Sequence, residues 1–335
     1  MYFYAIIFTI LLFYSGKKYQ KYISLYPHLI IMAMIAMQGE VGPDYFGYLN
    51  RYLNFNVNET FQKSNGEIGW YFIEYLTHVN QWGYHMYSMF AGIIGIGFLL
   101  KAQNNIKFFG FLVIIFQQIL IQLGLSGLRQ FVAVCILIYA SSIYFFSSQK
   151  SVYKFLFLIV LGATFHVSVL VMGFILIFIL KLKTRQTLFL IILSVVALAF
   201  DISASVLANT VDKYDVRYLQ GTRFSSGAWV RFSITIIIIV MGIYKNTANK
   251  ELFFLGITII ILGTSLGLVN SIALHRLNYY FLPVGSLILV KNYRFGTVSR
   301  MRMRFVYIMS ICYFIIWFGF SKYADSFIPY TFFFN

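Results

Sequence analysis

Arg129 is the only formal charge between Phe108 and Gln149, within Ser126-Gly127-Leu128-Arg129-Gln130, where one apolar run ends and the next begins. An ionisable group in hydrocarbon costs roughly 2.5 kcal/mol or more on insertion scales, so a lone one marks a functional site by default. Arginine offers a planar fork of donors that suits bidentate recognition of phosphate or carboxylate. His166 is the only titratable side chain between Lys154 and Lys181. A buried neutral histidine bonded to a backbone carbonyl is the common fate of such a residue, and proton transfer is the alternative. Asp44 and Glu67 supply carboxylates earlier in the chain, and His275-Arg276 a further basic pair. No zincin helix motif, nucleophile elbow, Walker loop or paired-cysteine signature occurs.

These residues are carried by a chain that is 60% hydrophobic, 20% aromatic and only 11% charged. Apolar runs of about 15 to 22 residues recur, most of them near the length that a bilayer requires. They do not alternate in polarity, which excludes a β-barrel, so the fold class is an all-α polytopic membrane protein. Spans fall near 2–16, 22–38, 84–100, 106–123, 128–146, 187–207, 229–244, 251–269, 277–290 and 305–321, about ten in all. Cys135 and Cys312 both lie in apolar segments, so no disulfide framework is expected. No linker composition or internal repeat interrupts residues 1–335, which read as one integral membrane domain with outer loops near 39–83 and 208–228. The first segment begins apolar and its lysines follow, the reverse of a signal peptide, which predicts an uncleaved helix.

Charge sets the topology. The net charge of +16 is spread between apolar segments rather than gathered in one patch, as positive-inside sorting predicts. Lys291, Arg294, Arg300, Arg302 and Arg304 fix one connection as cytoplasmic. Alternation then places Lys17/Lys18/Lys21, Lys101/Lys107, Lys150/Lys154, Lys181/Lys183/Arg185 and Lys245/Lys250 on the same side. Residues 155–180 are too long for one comfortable span and short for two. With both flanks inside, they predict a hairpin of two short helices over 154–180, with Gly162-Ala163-Thr164-Phe165-His166 at its tip. Non-helical backbone at that depth must be buried in protein or line an aqueous cavity, so His166 is expected to approach a cavity open to the outside.

The outer side collects Arg51, Arg129, Arg217, Arg223, Arg231 and Arg276, while most lysines stay inside. Each of these arginines binds a ligand or pairs with an outer acid. Arg129 and Arg276 have no acid nearby in sequence, so a ligand is the expectation for both. In Gly42-Pro43-Asp44, proline suits the first helical position and the acid the first turn, with Asp44 and Tyr48 on one face. Glu67 begins a second short helix whose Trp70, Tyr71 and Tyr75 suit a membrane interface; Glu67 either caps that helix or contacts substrate. His28, His78 and His85 read as interfacial.

Taken in order, Gly42-Pro43-Asp44-Tyr45 with Tyr48, Glu67-x-Gly69-Trp70, Leu128-Arg129-Gln130, Phe165-His166-x-Ser168 and Arg276-x-x-Tyr279 resemble the EpsG-like branch of Wzy-type polysaccharide polymerases. The resemblance runs from about residue 39 to 290. Each motif is weak alone, and their order carries the match. Pro43 departs from the threonine common in that family, which removes a hydroxyl and a backbone N–H from the loop.

The resemblance implies a glycosyltransferase C-type-like helical fold in the bacterial inner membrane, with a metal-independent active site on the outer face and no cofactor. The implied reaction transfers glycan from undecaprenyl diphosphate to the sugar of another lipid-linked repeat unit, in O-antigen, capsule or exopolysaccharide synthesis, with a chain-length regulator as a possible partner and no nucleic acid. On that reading Arg129 and Arg276 clamp the departing diphosphate and His166 is the general base, with Asp44 as the alternative base. Tyr48, Trp70 and Tyr279 are candidates to stack on sugar rings, and Arg223, Gln130, Tyr45 and Glu67 to bind substrate. An O-antigen-ligase-like enzyme, a polyprenyl-phosphate-sugar glycosyltransferase and a lipid-linked oligosaccharide flippase or exporter are the competing readings.

Overall fold

The computed structural model describes residues 1–17, 19–57, 67–147, 151–181, 225–244, 250–294, 296 and 298–332. The expected span 187–207, the loop 208–228 up to residue 224, and Arg185, Arg217 and Arg223 lie outside the described residues. The described chain is helical: α1 (Tyr2–Ser15), α2 (Leu25–Ala36), α3 (Tyr45–Leu53), α4 (Ile68–Val79), α5 (Met86–Ile106), α6 (Gly110–Ile115), a π-helical segment (Phe116–Leu123), α7 (Leu128–Phe146), α8 (Val152–Phe165), α9 (Val169–Lys181), α10 (Ser226–Ile243), α11 (Lys250–Val269), α12 (Ser271–Arg294), α13 (Arg300–Phe320) and a 3-10 turn (Lys322–Phe327). Among the described residues, five helices are long and apolar enough to cross a membrane: α5, α7, α10, α11 and α13. Shorter apolar helices stand at the expected spans 2–16, 22–38 and 106–123, as α1, α2 and α6 with its π extension, and α8 is the first arm of the expected hairpin. This is a polytopic membrane architecture.

Local chemistry explains where the helices start. The Ser151 side chain accepts the Lys154 N–H at 3.2 Å and opens α8, the usual way an orphan first-turn donor is satisfied. Asn270 Oδ1 accepts from the N–H groups of Ile272 and Ala273, which divides α11 from α12. The predicted hairpin is present, with its turn at His166-Val167-Ser168. Gly162 to Phe165 form the last turn of α8 instead of the tip. A Cβ on Gly173 would lie 2.4 Å from the Ile159 side chain, so the start of α9 lies close against α8.

The chain divides into two compact units, Met1–Gly173 with Arg300–Asn335, and Phe174–Ser299. In the first, α5 packs on α2 and α7, and α7 on α8. In this unit the polar contacts between helix termini fall into two groups. In one, Tyr19 donates to Asn104 at 2.5 Å and Asn105 to Ser142 at 3.0 Å, close in sequence to Lys17, Lys21, Lys101 and Lys107. In the other, Tyr4, Met34, Asp44, Glu67, Arg129, His166 and the residues after α13 take part in hydrogen bonds. In the second unit α10 packs along α12: a Cβ on Gly242 would lie 3.0 Å from Leu289 Cα, and Asn292 donates to the Gly242 carbonyl at 2.8 Å. Pro283 sits inside α12, where it withholds one backbone donor.

Candidate active site

The π-helical segment ends at Gly124, and the turn through Ser126 delivers Arg129 to the first turn of α7. Short π segments inside α-helices occur often at functional sites, because the wider turn re-aims the chain. A Cβ on Gly124 would lie 2.7 Å from Ile35 Cδ1, so a larger residue there would press on α2. Opposite Arg129, Glu67 stands at the N-cap position of α4 but does not cap it. Its carboxylate turns inward, 3% exposed. Glu67 Oε2 accepts from Arg129 Nη1 at 2.5 Å, and Oε1 lies 2.6 Å from His166 Nδ1.

Glu67 therefore joins the start of α7 to the tip of the α8–α9 hairpin. Burial alone would raise its pKa, but hydrogen bonding to His166 and the charges of Arg129 and His166 outweigh that, and the carboxyl is held below the ordinary glutamate value. An ionised carboxylate only accepts hydrogen bonds, so Nδ1 of His166 carries the proton that faces Glu67, and Nε2 is the ring nitrogen turned to other partners. A base oriented by a third group in this way is a recurring catalytic arrangement. The His166 side chain is 19% exposed and that of Arg129 28%. Neither is sealed from a ligand.

Asp44 occupies the N-cap position of α3, and that helix starts at Tyr45, later than the proline-first start expected at Pro43. The Asp44 side chain makes no cap. It accepts from Ser126 Oγ at 2.9 Å, one turn before Arg129. Tyr48, one turn along α3, is buried and accepts the Arg129 backbone N–H at 3.5 Å. Burial pushes the Tyr48 phenol up in pKa, so it stays protonated. Tyr45 is half-buried with its ring 5.0 Å from that of Tyr84, and Gln130 is half-buried beside Arg129.

Several expectations are corrected here. Arg129 does have an acidic partner; Glu67 is 62 residues away in sequence, which is why no local search finds it. Trp70 is not at an interface. It is 1% exposed, its ring lies 5.7 Å from Tyr48 and 5.8 Å from Tyr87, and its Nε1–H donates to Glu74. Trp70 and Tyr48 are thus packed against each other, and in this arrangement a sugar ring has no access to the buried Trp70. His28 is likewise buried, with Nδ1 2.6 Å from the Ser24 carbonyl. Both Glu67 oxygens are engaged by protein groups, which makes it a positioning residue.

Sequence reasoning missed a second ion pair on the same helix. Glu74 is fully buried, accepts from Arg51 Nε and Nη2 at 2.8 Å each, and from Trp70 at 2.8 Å. Glu67 and Glu74 are seven residues apart, two turns along one helix face; that spacing was the available signal. The fork ties α3 to α4 and so holds Tyr48 and Glu67 in register. Gly69 is required for close approach, since a Cβ there would lie 2.6 Å from Thr164 Oγ1 on α8.

The second unit holds a separate polar cluster. Arg231 on α10 lies 2.8 Å from His275 Nδ1 and donates to Tyr279 Oη at 3.1 Å on α12, while Thr235 donates to Asn278 at 2.8 Å. Arg276, the residue singled out by sequence, is exposed on the adjoining position, and Tyr279 is buried. Arg129 belongs to the first unit and Arg276 to the second.

The fold and site define a polytopic helical membrane protein with a carboxylate-held arginine and histidine at the meeting of three helix termini. The family model described as the EpsG family matches residues 21–332. The chain belongs to the EpsG family. Neither a curated protein nor a solved structure matches it. Membership carries a polysaccharide-polymerase-like role in general terms.

Proposed function

We propose that this protein is a polysaccharide polymerase of the bacterial inner membrane, built as about ten spans on a glycosyltransferase C-type-like plan. It transfers glycan from undecaprenyl diphosphate to a sugar hydroxyl of another lipid-linked repeat unit, on the outer face. The observation that supports this reading best is the grip of one buried carboxylate, Glu67, on both Arg129 and His166.

In this mechanism the acceptor hydroxyl attacks the anomeric carbon, forming a new C–O bond as the bond to the diphosphate oxygen breaks. The hydroxyl proton passes to His166 Nε2, and the bonding electron pair leaves with the diphosphate. Glu67 holds Nδ1–H and stabilises the imidazolium that forms. The exposed part of the Arg129 guanidinium faces the developing negative charge, where a preorganised donor acts most strongly. Asp44, held by Ser126, orients the acceptor and is the second candidate base. Arg276, Arg223, Gln130, Tyr45 and Tyr279 are the proposed further contacts to substrate.

Purified protein in detergent, given only lipid-linked repeat units and no gradient, should produce a ladder of chain lengths, and the His166→Gln variant should not. Single additions to a terminal acceptor would identify a ligase. No covalent product, with gradient-dependent movement of the lipid-linked sugar, would identify a transporter.

A further inference from the structure

The residues after α13 do not simply leave the bundle. Ser321 Oγ accepts the Tyr323 N–H at 3.3 Å and starts the 3-10 turn Lys322–Phe327. The following residues run back across the end of the first unit. Phe327 is buried and its carbonyl accepts from Tyr4 Oη at 2.8 Å; Tyr330 stacks on Phe3 with centroids 4.3 Å apart and donates to the Met34 carbonyl at 2.5 Å. Apolar packing and these bonds anchor the segment on α1 and α2.

Once anchored, it holds the loop that leads to Asp44. The Gly39 N–H donates to the Thr331 carbonyl at 2.7 Å, the Gly42 N–H donates to the Ser326 carbonyl at 2.8 Å, and Gln38 and Phe332 form an antiparallel bridge. The two glycines leave room for this arrangement on opposite sides. A Cβ on Gly39 would lie 2.8 Å from the Phe332 carbonyl oxygen. Gly42 has φ +86°, and a Cβ there would lie 2.6 Å from the Leu125 carbonyl oxygen, a backbone conformation that L side chains rarely adopt. The loop 39–42 is therefore pressed between the returning segment and the Leu125-Ser126 turn. Two residues later Asp44 reaches Ser126.

We infer that residues 321–332 form a strap that positions the Asp44 loop against the Ser126–Arg129 turn, making the far C-terminal segment part of the active-site scaffold. Gly39, Gly42, Ser326 and Thr331 act through Asp44, so they are positioning residues. The functional part of the inference rests on the polymerase reading; the structural part does not.

The test uses the full chain in a Cys312→Ser background, where Cys135 is buried. Ser126→Cys reports on the cover over that turn, read as maleimide labelling. Labelling should be slow in the full-length chain and rise about tenfold or more when the chain is ended after Phe320, as expected for local opening. Gly39→Ala, which keeps every strap residue, should raise it in the same direction. In chains with Ser126 intact, both changes should lower kcat for ladder formation while KM for the lipid-linked unit stays near that of the unaltered protein. A Gln38→Cys/Phe332→Cys pair, placed at bridged positions where a disulfide fits, should keep full turnover when oxidised. Unchanged labelling in both altered chains would overturn the strap. Loss of turnover on oxidation would overturn its positioning role, by showing that it must open. Changed labelling with no ladder even from unaltered protein would retain the strap and remove the polymerase reading.

Discussion

The Glu67 carboxylate lies 2.6 Å from His166 Nδ1, joining residues 99 apart in the chain. A second oxygen of the same carboxylate takes Arg129. One buried anion thus orients a base candidate and fixes a guanidinium, and each consequence can be measured.

Glu67→Gln keeps the size of the side chain and removes its charge. Without the anion, the tautomer of His166 is no longer enforced and Arg129 loses its counter-charge. Ladder formation should fall on the order of 100-fold, the low side of a general acid–base contribution. Protein level and KM for the lipid-linked unit should change little. Unaltered turnover would remove the orienting role.

Arg129→Lys retains a positive charge that can still pair with Glu67. It replaces a planar fork with a point charge, and the two do not bind diphosphate alike. The variant should insert and remain folded but lose most polymerisation, on the order of 100-fold as for loss of one oxyanion donor. Full polymer yield, measured as ladder intensity per mole of inserted protein, would sink the clamp.

The Glu67 carboxyl is held below the ordinary value of 4.5. A depressed carboxyl contributes stability that is fully present above that value and is lost as pH falls through the lower folded-state value. Thermal unfolding of detergent-solubilised protein should therefore show wild type above Glu67→Gln at neutral pH, with the gap closing as the solution is acidified below 4.5. A gap that is constant from pH 7 to 3 would contradict the linkage.

Gly69→Ala would set a Cβ 2.6 Å from Thr164 Oγ1 and push α4 away from α8. Glu67 and His166 sit on those two elements, so activity should drop about tenfold or more although neither residue is altered. Thr164→Ala removes the opposing hydroxyl and should restore part of the loss. Additive losses in the double variant, read as a double-mutant cycle, would show that the contact does not carry the effect.

Much of the architecture was legible because it depends on local properties. Apolar run length located many of the helices, five of which are long and apolar enough to cross a membrane among the described residues. The absence of charge over 155–180, broken only by His166, predicted a hairpin whose turn carries that histidine. Ordered short motifs around Asp44, Glu67, Arg129 and His166 pointed to the family that the model match then showed. These signals survive in one dimension because bilayer length and charge sorting act on each segment in turn.

Partnerships were decided only in three dimensions. Arg129 reads as unpaired along the chain, yet α4 brings Glu67 to it from 62 residues away. Trp70 reads as interfacial by type, yet the Glu74–Arg51 pair draws its indole N–H inside. The C-terminal residues carry no motif at all, yet their backbone carbonyls hold Gly39 and Gly42. Sequence singled out the residues with chemistry to offer. Helix packing chose their partners, because a hydrogen bond between distant segments depends on how close the helices come, and small residues such as Gly42, Gly69 and Gly124 set that distance.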